Sequence, residues 1–456
     1  MSDNETPLTL AGKLTQGSIP RQVLAMAAPI AIGMVFQTLY YLVDLYFVGQ
    51  LGDSAIAGVS TAGNLTFLVI ALTQMLAVGT VSLVAQAIGR QDRDDANLIF
   101  NQSLSIAALL TIGTLVAGFL VTPFYMRALG ADAATAAAGI SYLRWYLPGL
   151  SLQFALVAMS AALRGTGIVK PAILVQILTV VVNAVLAPVL IAGWGTGRPL
   201  GVAGAGLAST IAIAFGVVLL WYYFRRLEHA VAIDRSLLRP RLGAWQRILR
   251  IGTPAGAEFL MMFIILGVIY AVIRQFGAEA QAGFGIGNRI NQALFLPVMA
   301  VAFATAPVAG QNFGAGLHDR VRDTFRFAAL FGGALMAAMT LVCQWHPDTM
   351  VAGFTSDAAV IGVGRQFLQV ISWNYVASGL IFTCSGMFQA LGNTLPSLLS
   401  SLTRLVTFAV PVVLLSRLPG FELRHVWLLS VATVTLQAAL SLWLLRREFA
   451  RKLRPR

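Results

Sequence analysis

The spacing of its charges constrains this chain more than any other feature. Twelve apolar stretches of about twenty residues or more follow one another, and 37 of the 49 charged residues fall outside them. They lie near 23–49, 57–87, 97–122, 135–162, 170–192, 202–224, 247–275, 281–311, 324–345, 358–388, 396–416 and 424–445. A helix of that length crosses the hydrocarbon of a bilayer. Composition agrees. Hydrophobic residues are 58% of 456, charged residues only 11%, and mean hydropathy is +0.79. A soluble domain carries about 25% charge, so lipid is the expected solvent. The expected fold class is an all-α polytopic membrane protein of about twelve transmembrane helices.

The net charge of +13 raises the question of nucleic acid, and position answers it. The basic residues sit between apolar spans and not on one folded face. They concentrate in alternate segments: Lys13 and Arg21, Arg90 and Arg93, Arg164 and Lys170, the 225–250 stretch, Arg320, Arg322 and Arg326, and the C-terminal tail. These segments hold roughly 22 of the 31 basic residues, which places them and both termini in the cytoplasm of a bacterial inner (plasma) membrane. The first twenty residues lack the pattern of a cleaved secretory signal, so the first span is expected to serve as the insertion signal. Cys343 and Cys384 lie inside apolar stretches and suggest neither a disulfide framework nor a metal site. The four histidines form no ligand cluster, and no Walker-type loop occurs. Energy must then come from an ion gradient or from the substrate's own gradient, with no metal and no cofactor.

The chain also repeats itself. A constant offset of 225 pairs Pro29 with Pro254, Gln50 with Gln275, Gly52 with Gly277, and Gln86 with Gln311. It also pairs Gly89 with Gly314, Asp94 with Asp319, Gly167 with Gly392, and Pro171 with Pro396. Turn and kink positions dominate these identities. Two pseudo-symmetric six-helix lobes are expected, as parallel repeats that rock in alternating access. The implied divisions are a tail at 1–20, a lobe at 21–225, a linker at 226–245, a lobe at 246–446 and a basic tail at 447–456.

Of eighteen acidic residues, only Asp44 and Glu258 fall within spans. A charge inside a bilayer costs at least a few kcal/mol, so each is a functional candidate. Gln37, Tyr40 and Tyr41 precede Asp44 by seven, four and three residues, which makes one polar helical stripe. The alternative for Asp44 is snorkelling at a helix end. Glu258 follows Pro254 by four residues, and its repeat partner is Gly33. It is either a second functional acid or a structural hydrogen-bond acceptor near a kink. Arg404 is the clearest base inside a late span; it faces an acid or a ligand, or snorkels. Pro29 and Pro254 are candidate hinges. Met34, Met261, Met262 and Met299 are candidates for an adaptable cavity lining, with core or lipid packing as the plain alternative.

The motifs resemble the MATE family, multidrug and toxic compound extrusion transporters. They are "MAAPIAIGMVFQTLYYLVDLYFVGQLG" at 26–52, "VAQAIGRQD" at 84–92, "RGTGIVKP" at 164–171 and "GRPLGVAGAGLAST" at 197–210. The second half adds "IGTPAGAEF" at 251–259, "APVAGQNFGAG" at 306–316 and "QALGNTLPSLLSSLTR" at 389–404. The resemblance implies two six-helix lobes around a V-shaped cavity. It also implies a secondary antiporter that exports amphipathic, cationic compounds against inward proton or sodium flow. Asp44 matches the family's first-helix acid, Asn183 its fifth-helix asparagine and Ser209 a sixth-helix hydroxyl. One bacterial branch carries a second acid four residues after the asparagine, where this chain has Ala187. Another branch places acids where Met262 and Leu380 stand. Proton coupling through Asp44 is therefore expected ahead of sodium. The other expectations are contact with membrane lipid, a monomer, and no nucleic acid. Three other readings remain: a lipid-linked sugar or lipid flippase, a polytopic membrane enzyme, and a channel. Arg289 and Arg404 supply little of the cationic cavity a flippase needs, and the clustered acids and histidines of a membrane enzyme are missing.

Overall fold

The computed structural model describes residues 13–130, 132–226 and 230–453. They fold into fourteen α-helices, with no strand among the described residues. The first repeat contains α1 (Ile19–Gly49), α2 (Asp53–Gly89), α3 (Arg93–Leu129), α4 (Ala133–Thr166), α5 (Lys170–Ile191) and α6 (Val202–Arg226). The second contains α7 (Leu242–Ile273), α8 (Ala278–Gly314), α9 (His318–Trp345), the short α10 (Pro347–Ala352), α11 (Ala358–Ile371), α12 (Tyr375–Ala390), α13 (Leu395–Leu415) and α14 (Leu423–Lys452). Twelve helical segments among the described residues are long and apolar enough to cross a membrane, and they follow the spans read from sequence.

The repeated residues earn their places through the backbone. Gly52 and Gly277 precede α2 and α8 at φ +101° and +95°. Gly167 and Gly392 hold φ +89° and +68° after α4 and α12. A Cβ is strained in this region, so glycine recurs at both copies. Side-chain caps start other helices. Asp92 accepts from the Asp95 N–H at 3.0 Å, and Asp132 from the Thr135 N–H at 2.7 Å.

The chain forms two compact units. One holds residues 1–16 and 32–256, the other 17–31 and 257–456. The lobes read from sequence, 21–225 and 246–446, differ from these units in one respect. The first half of α1 packs with the second-repeat helices, and the first half of α7 with the first-repeat helices. Both cuts fall two residues after the prolines, at Ala31 and Gly256, which are 225 apart. Hydrophobic periodicity marks a buried face without saying which neighbour buries it.

Within the first unit, α4 packs against α2, α3 and α6, and α5 against α6. Within the second, α12 packs against α8, α9 and α14, and α13 against α14. Aliphatic and aromatic side chains such as Leu76, Phe100, Leu143 and Phe154 fill the first core. Phe284 stacks on Trp427 in the second, and Phe367 meets both edge-on. The linker read at 226–245 is shorter here, because α6 continues to Arg226 and α7 begins at Leu242. Its described part is pinned to α3 by amide side chains. Asn101 donates to the Ala232 carbonyl at 2.9 Å, and Gln102 to the Arg239 carbonyl at 2.7 Å. Asn97 accepts from the Ala232 N–H at 2.8 Å. His229 lies outside the described residues.

The tenth span, read as one helix over 358–388, is interrupted. A 3-10 turn at Ser372–Asn374 separates α11 from α12. Side chains from α9 take the carbonyls at the break. Thr340 donates to Ser372 O at 2.8 Å, and Gln344 to Gln369 O at 2.6 Å. In the first repeat the equivalent helix, α4, runs on through Pro148. Non-helical backbone inside a span persists where protein groups satisfy it.

Candidate functional site

In the first unit, α1, α5 and α6 each carry a buried polar group without a protein partner, as α3 and α7 do at Thr122 and Trp245. Asp44 on α1 is 9% exposed, and its Oδ1 has no hydrogen-bond partner. Asn183 on α5 is fully buried with neither amide atom partnered. Ser209 on α6 is fully buried, and its Oγ is also unpartnered. Each such group costs about 1–3 kcal/mol when no partner meets it, which makes the three candidates for a functional role. A carboxylate only 9% exposed does not suit the snorkelling alternative.

The helix contacts set the relative depth of these groups. A Cβ on Gly33 would meet Gln176 Oε1 at 2.8 Å, so α1 passes close to α5 there. Both helices run in the same direction as first and fifth spans. Asp44 lies eleven residues beyond Gly33 and Asn183 seven beyond Gln176, so they differ in height by about 6 Å. A Cβ on Gly216 would meet Thr179 Oγ1 at 2.7 Å, and one on Gly204 would meet Leu190 O. This antiparallel register puts Ser209 within about one helical turn, roughly 5 Å, of Asn183. The two residues carried over by resemblance thus share one depth with Asp44. Of the stripe on α1, Gln37 is exposed and Tyr40 partly buried. The Tyr41 side chain lies outside the described residues.

In the second unit, Glu258 has a different environment. It accepts from Ser397 Oγ at 2.7 Å and from Ser385 and Ser401 Oγ, both at 3.4 Å. Gln437 on α14 donates to Ser401 Oγ at 3.2 Å. Four helices thus meet around one carboxylate. Of its two sequence readings, this geometry matches the hydrogen-bonded structural role. Sequence reasoning missed the serines; the i, i+4 spacing of Ser397 and Ser401 on one face of α13 was the available signal. Arg404 lies on the same face of α13, with its Nε buried and unpartnered. No ion pair joins it to Glu258 among the described residues. Met261 is partly buried, while Met262 is exposed. No group of three or more histidine, cysteine or acidic residues suited to a metal occurs among the described residues.

Pro29 and Pro254 lie inside α1 and α7, which continue through them. Pro29→Ala is expected to lower kcat several-fold and leave KM within about twofold, because restoring an N–H changes the balance of states and not a ligand contact. Lost binding with unchanged turnover would assign Pro29 to the ligand site.

The MatE family model matches residues 29–189 and again residues 254–415. The chain belongs to the MatE family. The two matches begin at Pro29 and Pro254, so each repeat is one copy of the family's unit. Members of this family are transporters and not enzymes, and this chain is a multi-pass membrane transporter. It is 24% identical over 432 residues to the probable multidrug resistance protein YoeA of Bacillus subtilis (strain 168), covering 94% of this chain and 93% of that protein. It is likewise 24% identical to the FAD transporter of Shewanella oneidensis, covering 88% of each. Multidrug export protein MepA of Staphylococcus aureus (strain N315) is also 24% identical, covering 82% of each. A solved outward-facing multidrug resistance MATE transporter superposes with a TM-score of 0.90 at 24% identity, over 98% of this chain and 99% of that one. A MOP superfamily transporter from Pyrococcus furiosus, described as having a binding pocket of reversed polarity, superposes equally well. These two likenesses concern the fold.

Proposed function

We propose that this MATE transporter exports amphipathic cations in exchange for protons, by alternating access, with Asp44 as the exchanging group. The observation that carries the reading is the buried Asp44 carboxylate, unpartnered at Oδ1 and level with the unpartnered Asn183 and Ser209. A buried carboxyl that lacks a fixed partner is free to take and give up a proton as the helices around it move. Sodium needs several oxygen ligands. Asp44, Asn183 and Ser209 offer some of them, and Ala187 withholds another, which ranks sodium second. Multidrug exporters among the relatives support a drug-like cargo. The FAD transporter among them, with the unpartnered Arg404 Nε, supports a second reading in which the cargo is an acidic amphiphile. Proteoliposomes with proton and sodium gradients imposed separately test the coupling. Uptake of ethidium driven by the proton gradient is expected, and uptake driven only by sodium overturns it. Uptake of FAD in place of ethidium favours the second reading.

The positive-inside bias of the basic segments supports a reading in which both termini and the 225–250 region lie in the cytoplasm and the chain lies in the inner membrane. A reporter fused after Arg456 should be active only inside the cell. Activity only outside refutes the orientation.

A further inference from the structure

We propose that the first halves of α1 (residues 17–31) and α7 (242–256) are separately releasable segments, each latched at its basic end, and that the α1 segment releases more readily. Four observations carry this. The compact units divide α1 and α7 at equivalent points, each two residues past a proline. The missing N–H at Pro29 and Pro254 removes the bond to the carbonyl of Ala25 and of Arg250, so each helix is weakest where the units part.

The two segments bury the same face. Ile19, Val23, Met26 and Ile30 are buried on α1, and Ala244, Ile248, Ile251 and Ala255 are buried on α7. Each pair is 225 apart.

The latches also occupy equivalent positions. In the first unit, Asp95 on α3 grips Arg247 on α7 through two parallel bonds, Nη1 to Oδ1 at 2.6 Å and Nη2 to Oδ2 at 2.8 Å. Arg90 adds a bond to Asp95 Oδ2 at 2.8 Å. Adding 225 to 95 and subtracting it from 247 gives Arg320 and Gln22. These two also meet. Arg320 on α9 donates from Nη2 to Gln22 Oε1 at 3.2 Å and from Nη1 to Gly17 O at 2.9 Å. Its Nε donates to Asn312 Oδ1 at 2.7 Å. One pair of positions has therefore evolved two chemistries for one task.

The chemistries are unequal. A bidentate guanidinium–carboxylate pair is stronger than guanidinium bonds to neutral oxygens. Backbone approach is unequal too. A Cβ on Gly79 would meet Ile248 O at 2.5 Å, and Gly252 and Gly256 lie against the Met75 and Ala71 carbonyls. The equivalent residues in the second unit are Ala304, Ala27 and Ala31, whose methyl groups rule out so close an approach. The α7 segment is therefore the more tightly held.

Peptide-resolved hydrogen exchange on the full chain in nanodiscs tests this. In the parent, 17–31 should exchange faster than 242–256. Asp95→Asn should speed exchange about tenfold in 242–256 and leave 257–273 unchanged. Arg320→Asp should do the same in 17–31 and leave 32–49 unchanged. Adding Gln22→Arg to Arg320→Asp copies the first unit's ion pair into the second and should restore protection of 17–31. Exchange that rises across a whole unit, or a transplanted pair that protects nothing, overturns the latches. Equal exchange of the two segments in the parent overturns the order. Joining Asp95→Cys to Arg247→Cys with a short bifunctional thiosulfonate reagent, since the span of an arginine–aspartate pair is too long for a direct disulfide, should stop ethidium export until the bridge is reduced, the native Cys343 and Cys384 being buried. Undiminished export with the latch cross-linked overturns its part in the cycle. A parent that moves no ethidium speaks against drug export and leaves the exchange data to decide the latches.

Discussion

Asp44→Asn is expected to abolish proton-driven export, a loss of at least a hundredfold in initial rate, while the chain stays folded and membrane-inserted. The substitution keeps the size of the side chain and removes the titratable proton. The cost of folding should change little, because a neutral amide is cheaper to bury than a carboxylate. The energetics make one such group sufficient. Moving one charge inward through 100 mV supplies about 2.3 kcal/mol, which sustains a concentration ratio of about 50 for a neutral substrate. One-for-one exchange with a monovalent cation moves no net charge, so for the proposed cargo the pH difference alone drives export, about tenfold in concentration ratio per pH unit. The check is a pH-jump assay in proteoliposomes, with binding of the same substrate measured in detergent. Binding that survives in Asp44→Asn while the pH response disappears is the expected pattern. Export equal to the parent under a proton gradient would move the coupling group elsewhere in the chain.

The first helix was readable because its chemistry is local. An isolated acid in an apolar stretch is visible in sequence, whereas the stripe read with it, Gln37, Tyr40 and Tyr41, does not share its burial throughout, since Gln37 is exposed. The repeat was readable because Gly52, Gly277, Gly167 and Gly392 hold positive-φ conformations that residues with a Cβ rarely adopt. Three other features depend on distant partners. The interruption at Ser372–Asn374 is held by Thr340 and Gln344 on another helix. The division of α1 and α7 between units reflects which neighbour buries an apolar face, and periodicity is blind to that. The serines around Glu258 come from two helices over a hundred residues downstream, and serine in an apolar helix carries no signal alone. Asn183 and Ser209 were found by family resemblance and not by spacing. What the structure adds is their shared depth and their unpartnered atoms.

Glu258 offers the sharpest contrast with Asp44, because its oxygens are already satisfied. Ser385, Ser397 and Ser401 converge on it from α12 and α13, and Gln437 extends the network to α14. Glu258→Ala would leave the serine hydroxyls without an acceptor and cut the link between α7 and its neighbours. Hydrogen bonds to a charged group contribute about 1.5–3 kcal/mol each, with non-additive losses in a network. A stability loss of about 2–4 kcal/mol is expected. It should appear as a fall of several degrees in the thermal unfolding of detergent-solubilised protein. Glu258→Gln keeps one acceptor oxygen for Ser397, the shortest of the bonds, and should lose less than half as much. The proton response should persist in Glu258→Gln, in contrast to Asp44→Asn. These two outcomes separate a structural acceptor from a second coupling acid. If Glu258→Gln melts with the parent and has lost proton-driven export, Glu258 carries protons or cations, and the serine cluster is its ligand shell.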